Sequence, residues 1–157
     1  MEQSSRMVIE SRVAAHVGKR YPPVVYAVGR EKIREYAQAV GETNPIYLSV
    51  EAARAAGYPD TPAPAMFACV YAGRALSAGL FDLDLEIDFA RLVHGSQQFG
   101  WPGPVVIAGD EVTTVLSVGA IFERAGLRFY VFESESANQR GEVVCTGVWT
   151  NIIRGTE

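Results

Sequence analysis

The stretch that most restricts the fold of this chain runs from Pro64 to Leu80, PAMFACVYAGRALSAGL. Arg74 is its only charged residue, and its apolar side chains point in every direction instead of along one stripe. A surface helix keeps a polar face, so a helix of this kind belongs inside the molecule. Most of its side chains are small (Ala65, Ala68, Ala72, Gly73, Ala75, Ala78 and Gly79), which lets neighbouring backbone come close. The expectation is a buried helix wrapped by a sheet. A membrane span is the rival reading, but it needs roughly 20 largely apolar residues flanked by basic anchors, and Pro62 and Arg74 interrupt this run too soon.

At 157 residues the chain fits one domain with a core that folds without staples. The first twenty residues are polar and are expected to be a mobile lead, with a single domain from 21 to 157. Hydrophobic residues make up 48% and charged residues 20%, a globular balance that argues against general disorder. The net charge of −4 speaks against nucleic acid or an anionic membrane as the partner, while leaving room for a phosphate-bearing cofactor tail. Cys69 and Cys145 are far apart and sit in apolar runs, as small hydrophobes in a reducing compartment do. The N-terminus MEQSSRMVIESRV lacks the apolar region of a secretory signal, so a cytoplasmic protein is expected.

Along the chain, Val24–Val28 reads as a short strand. In the REKIREYAQAV segment, Ile33, Tyr36, Ala37 and Val40 mark one helical face, and Gly41 stands at the C-terminal cap. Asn44-Pro45 turns the chain over Glu42–Leu48. Ser49 caps a short helix that Gly57 ends, and a proline-punctuated loop leads to Pro64 in the first turn of the central helix. FDLDLEIDFA alternates acidic and apolar residues and reads as either an edge strand or an irregular cover. From Leu92 the pattern is that of strands. Val112, Thr114, Leu116, Val118 and Ala120 alternate, and further strands follow Gly126 and Gly141. The second half is therefore expected to be an antiparallel meander. Helices first and strands later give an α+β fold, a hot-dog: an antiparallel sheet wrapped around a long buried central helix. The last two strands are apolar on both faces, which predicts that one face covers the helix and the other is buried in a partner.

Several common chemistries lack their residues. His16, His94 and two isolated cysteines form no cluster with zinc-site spacing, so no metal is expected. Neither a glycine-rich nucleotide loop nor a GxSxG nucleophile elbow is present.

Two segments remain, GETNPIY (Gly41–Tyr47) and APAM (Ala63–Met66). Here the sequence resembles the MaoC-like hydratase/dehydratase family, which reads G-D-x-N-P-[LIV]-H in the first segment and A-H-G-M in the second. The resemblance extends through VGREKIREYAQAVG, EAARAAGYPD, VHGSQQF and PVVIAGD, and so covers about Tyr21 to Ile153. These stretches look most like the single hot-dog, N-terminal-type branch. That branch is similar to the non-catalytic subunits of heterodimeric (3R)-hydroxyacyl-ACP dehydratases.

The resemblance implies a subunit of a (3R)-hydroxyacyl-thioester dehydratase or enoyl-thioester hydratase, binding the acyl chain while a partner supplies the catalytic Asp and His. In catalytic members those two residues hold the water added to or lost from the double bond, and a backbone N–H at the helix start polarises the thioester carbonyl. Carried onto this chain, the Asp falls on Glu42 and the His on Tyr47, while Asn44 and Pro45 are kept. At the helix start the His falls on Pro64 and the Gly on Ala65, with Met66 kept. Asn44, Pro64, Ala65 and Met66 are thus the implied substrate-binding set, and Glu42 and Tyr47 stand at the catalytic positions. No cofactor is implied, because the substrate carries the phosphopantetheine of CoA or ACP. The implied partner is a MaoC-like catalytic hot-dog subunit or a second copy of this chain.

The departures bear on chemistry. A tyrosine has an unperturbed pKa of about 10, so Tyr47 is no proton acceptor at neutral pH. Glu42 sets its carboxylate one methylene further out, whereas Ala65 keeps its N–H. Each residue has a structural reading beside the functional one: Glu42 as a solvated turn carboxylate, Tyr47 as packing, Asn44 as a turn former through its own backbone. His94 is a conceivable replacement base, and Arg74 either pairs with an acid at an interface or holds a phosphate of the carrier. Two other functions stay open: a self-sufficient homodimeric enoyl-CoA hydratase using Glu42, and an acyl-thioester binding module without turnover.

Overall fold

The computed structural model describes residues 12–155. The ordered elements are β1 (Val24–Ala27), α1 (Arg30–Ala39), α2 (Val50–Ala55), a central helix, and β2 (Leu92–Gly100), β3 (Glu111–Arg124), β4 (Leu127–Ala137) and β5 (Val143–Ile153). The central helix comprises a 3-10 turn, Ala65–Phe67, followed by α3 (Ala68–Tyr71) and α4 (Gly73–Leu80). The fold is the expected α+β hot-dog, with a five-stranded sheet in the order β1-β3-β4-β5-β2 and every pairing antiparallel.

Only β3, β4 and β5 form a meander. β2 crosses over and pairs with the far side of β5, from Leu92 opposite Ile153 to Gly100 opposite Thr146. The β3 alternation buries Val112, Leu116 and Val118 as expected. It stops at a bulge between Val118 and Ala120, beyond which the strand continues to Arg124. Outward residues of β4 and β5, among them Val131 and Val148, are half-buried within the single chain, and Phe129 stacks on Phe122 with ring centroids 4.8 Å apart.

The central helix lies against the concave face. Phe67, Ala68, Tyr71, Ala72, Ala75, Leu76 and Gly79 are buried at a helical repeat, whereas Ala65, Met66, Arg74 and Ser77 are exposed. The burial of this helix is thus one-sided in the single chain, although its residues are apolar all round. The Arg74 guanidinium lies 4.9 Å from the centroid of the Tyr26 ring.

The two helix glycines differ in what surrounds them. A Cβ on Gly79 would stand 2.4 Å from the ring of Phe132, which is fully buried. A Cβ on Gly73 would meet nothing closer than Trp149, at 3.9 Å. Overpacking costs about 1–3 kcal/mol and outweighs the helix-propensity gain of about 1 kcal/mol for Gly→Ala at position 79. Gly79→Ala is expected to destabilise the fold by about 1–2 kcal/mol. Gly73→Ala is expected to stabilise it by about 0.5–1 kcal/mol, both measured by urea unfolding.

FDLDLEIDFA forms two 3-10 turns, Leu83–Leu85 and Phe89–Arg91, and no strand. Asp82 and Asp88 open them by accepting the N–H of Asp84 and Ala90. Asp82 also joins the front of the chain to this cover. Lys19 Nζ lies 2.6 Å from its carboxylate, and the Tyr21 hydroxyl donates to it at 2.7 Å. Burial pushes the Asp82 carboxyl up, but these partners outweigh it and hold the group below the usual carboxylate range. The mobile lead expected over residues 1–20 falls in part outside the described residues. Its described part is tied to β3, through Gly18 N–H to the Val118 carbonyl and Val118 N–H to the Lys19 carbonyl.

Candidate functional site

The first wall of the site follows from α1. Glu42 N–H reaches the Ala37 carbonyl at 2.8 Å and Gly41 N–H the Gln38 carbonyl at 3.1 Å, with Gly41 at φ 72°. This closure of a helix through a left-handed glycine fixes where Glu42 emerges. Glu42 then holds its own turn: Oε1 accepts the N–H groups of Thr43 and Asn44, both at 2.9 Å. Asn44 Oδ1 accepts Ile46 N–H at 3.2 Å and caps the 3-10 turn Pro45–Tyr47. The turn delivers Tyr47.

The second wall is the loop that leads into the central helix. Arg30, at the start of α1, grips Asp60 through two hydrogen bonds of 3.0 and 2.7 Å. Those bonds, with the Thr61 N–H at 2.7 Å, hold the Asp60 carboxyl down to about 2. Beyond it, Ala63 N–H bonds to the Val106 carbonyl and Ala108 N–H to the Thr61 carbonyl. Residues 61–63 are thereby zipped to 106–108, beside the Trp101–Pro104 segment. Gly103 packs against β5 so closely that a Cβ would fall 2.0 Å from the Val143 carbonyl oxygen.

Between these walls lies a pocket of about 290 Å³. Tyr47, Pro64 and Ala65 line it, so the two motif segments, far apart in sequence, meet at one cavity. Tyr58, Tyr71, Trp101, Val106 and Val144 line it as well. Sequence reasoning did not find these five, which come from separate segments. The local signal for them is the Pro-Gly-Pro run after Trp101, which suits a bulge or a strand end better than a central ladder. Glu42, Asn44 and Met66 do not line the pocket: the first two build the turn, and Met66 is about half exposed on the open side of the helix. His94 lies elsewhere, on β2 opposite Asn151 and edge-on to Trp149 with ring centroids 6.4 Å apart.

The pocket lining includes no Asp, Glu, Lys, Arg or His. The Tyr47 phenol is pushed above its ordinary pKa by burial, then by the negative charge of Glu42 and by Tyr58, so it stays protonated at neutral pH. Tyr71 is likewise raised, by burial and by the adjoining Cys145 thiol. At the pocket edge, Ala65 opens the helical run, and its N–H has no backbone acceptor among the described residues. Chemically, the site can bury an uncharged group and present an N–H and neutral phenols to a carbonyl. It offers no proton acceptor. Among the described residues no group of three His, Cys, Asp or Glu side chains is placed to hold a metal, and no helix is long and apolar enough to cross a membrane.

A family model described as the FAS1-like dehydratase domain region matches residues 15–147. The UPF0336 protein of Saccharopolyspora erythraea is 44% identical over 141 residues, which cover 89% of this chain and 90% of that protein. Among solved structures, the HadBC (3R-hydroxyacyl-ACP dehydratase) complex of Mycobacterium tuberculosis is similar at 29% identity and a TM-score of 0.74. The match covers 87% of this chain and 96% of that one. A MaoC-like dehydratase is similar at 26% identity and a TM-score of 0.81, over 92% of this chain and 44% of that one.

Proposed function

Because the chain belongs to the family of FAS1-like dehydratase domains and has the MaoC-like hot-dog fold, we propose that it is the acyl-binding subunit of a (3R)-hydroxyacyl-thioester dehydratase or, in reverse, an enoyl-thioester hydratase. A second hot-dog subunit with an intact Asp and His performs the proton transfers. The observation that carries this reading is the pairing of Tyr47 and Glu42. A neutral phenol lines the pocket at the place of the base, and the nearby carboxylate is engaged by the backbone of its own turn.

Hydration needs one group to take a proton from water and to return one to carbon. Tyr47 stays protonated at neutral pH, and Glu42 stands outside the pocket. What this chain contributes is burial. Its uncharged cavity holds the acyl chain away from water, and the Ala65 N–H at its edge donates a hydrogen bond to the thioester carbonyl oxygen. The carrier, CoA or ACP, brings the phosphopantetheine, so the chain needs no cofactor of its own. The open edge of the sheet supports the partner reading. β2 is nine residues long and, from Leu92 to Gly100, has no Lys, Arg, Asp, Glu or Pro to discourage pairing with another chain. In this reading a catalytic hot-dog subunit adds to that edge, and a second copy of this chain is the alternative occupant.

The test is to purify the chain alone and together with a hot-dog subunit bearing Asp-x-Asn-Pro-x-His, and to follow hydration of an enoyl thioester by its absorbance. The lone chain is expected to show no turnover above the uncatalysed rate, and the pair is expected to turn over. Turnover by the lone chain contradicts the proposal. Binding without turnover by any pair points to a binding module instead.

A further inference from the structure

The pocket has a mouth and a floor. Ala65, Trp101 and Val105 are exposed at one end, whereas Tyr71 is 2% exposed and Val144 1% at the other. We infer that Tyr71 is the floor of this pocket and a specificity-determining residue that limits the acyl group to short and medium length. The inference rests on the acyl-thioester reading above and names the substrate class within it.

Tyr71 projects from the central helix, and what stands behind it is core. Its ring centroid is 6.3 Å from that of Phe67, which is fully buried, and its hydroxyl faces the buried Cys145 thiol on β5. The walls do not give way. Pro62, Pro64 and Pro104 line them, and Gly103 is pressed against the Val143 backbone. At about 30 Å³ for each water-sized group, a cavity of 290 Å³ holds roughly ten such groups. An acyl chain of up to about ten carbons is then buried from the mouth to Tyr71. A longer chain must leave its end in water or displace a fully packed ring.

Each methylene that finds room tightens binding about fourfold, and each one beyond the floor adds nothing. The experiment is calorimetric titration of the full chain with saturated acyl-CoA esters from butyryl to palmitoyl. Affinity is expected to climb with length as far as decanoyl and then to level or fall. Tyr71→Phe keeps the ring and is expected to keep this profile. Tyr71→Val opens space toward Cys145 and is expected to move the break point up by about two carbons. The wild-type profile decides the matter even if Tyr71→Val fails to fold, because affinity that keeps climbing to palmitoyl overturns the inference. An unmoved break point in folded Tyr71→Val overturns it too. Binding that ignores length overturns the floor while leaving the acyl-thioester reading intact. Failure of every ester to bind overturns both.

Discussion

Glu42→Gln in this chain leaves the turnover of the assembled pair within about threefold, whereas replacing the partner's motif histidine by alanine costs about 10²–10⁴-fold, the usual contribution of a positioned acid–base group. The asymmetry follows from what Glu42 does. Its Oε1 accepts the N–H groups of Thr43 and Asn44, and a glutamine carbonyl oxygen accepts both in the same geometry. The substitution removes a charge that helps keep the Tyr47 phenol protonated, and a phenol that already stays protonated does not change its role. Steady-state kinetics of the two assembled variants separate the readings. Loss of turnover by the pair carrying folded Glu42→Gln would make Glu42 a catalytic group and contradict the turn-holding role.

Gly103→Ala is expected to lower unfolding free energy by about 2–4 kcal/mol and to weaken acyl-thioester binding by more than about tenfold. The added Cβ would lie 2.0 Å from the Val143 carbonyl oxygen. A flexible side chain could swing away from such a contact, but this neighbour is backbone at the start of β5, where Val143 is paired with Ala137 of β4. The segment from Trp101 to Val106 must therefore move. Because the Val106 carbonyl accepts the Ala63 N–H, the displacement reaches the loop that forms the opposite wall. Urea unfolding and calorimetry measure the two losses, and Trp101 fluorescence reports the shift of the wall. Unchanged stability together with unchanged binding would show that this segment is not the pocket wall.

The parts of the fold that sequence revealed are those written in local periodicity. The face Ile33, Tyr36, Ala37 and Val40 with Gly41 behind it specifies α1 and its cap, and Asn44-Pro45 specifies the turn that follows. The alternation from Val112 to Val118 marks β3, and small residues mark the helix that the sheet wraps. Long-range placement was not legible. The edge position of β2 depends on a pairing with β5 about fifty residues away, and no pattern within β2 records it. The bulge after Val118 breaks an alternation that looks unbroken in the sequence. In FDLDLEIDFA, the aspartates that suggested alternation act instead as caps of two short turns.

The candidate site was half legible for the same reason. The family resemblance brought Tyr47, Pro64 and Ala65 into view, and these three share the pocket. Tyr58, Tyr71, Trp101 and Val144 belong to a loop, a helix interior, a strand end and a strand, and only the folded chain assembles them. The resemblance also sets Glu42 at a catalytic position and Asn44 and Met66 in the substrate-binding set. The geometry gives Glu42 and Asn44 to the turn and leaves Met66 on the open side of the helix.

The division of labour between two subunits is tested most directly by titrating a fixed amount of a hot-dog partner bearing Asp-x-Asn-Pro-x-His with this chain, while following enoyl-thioester hydration. The account predicts no turnover from this chain alone and a rate that rises to a plateau at one chain per partner. A rate proportional to this chain with no partner present would contradict it.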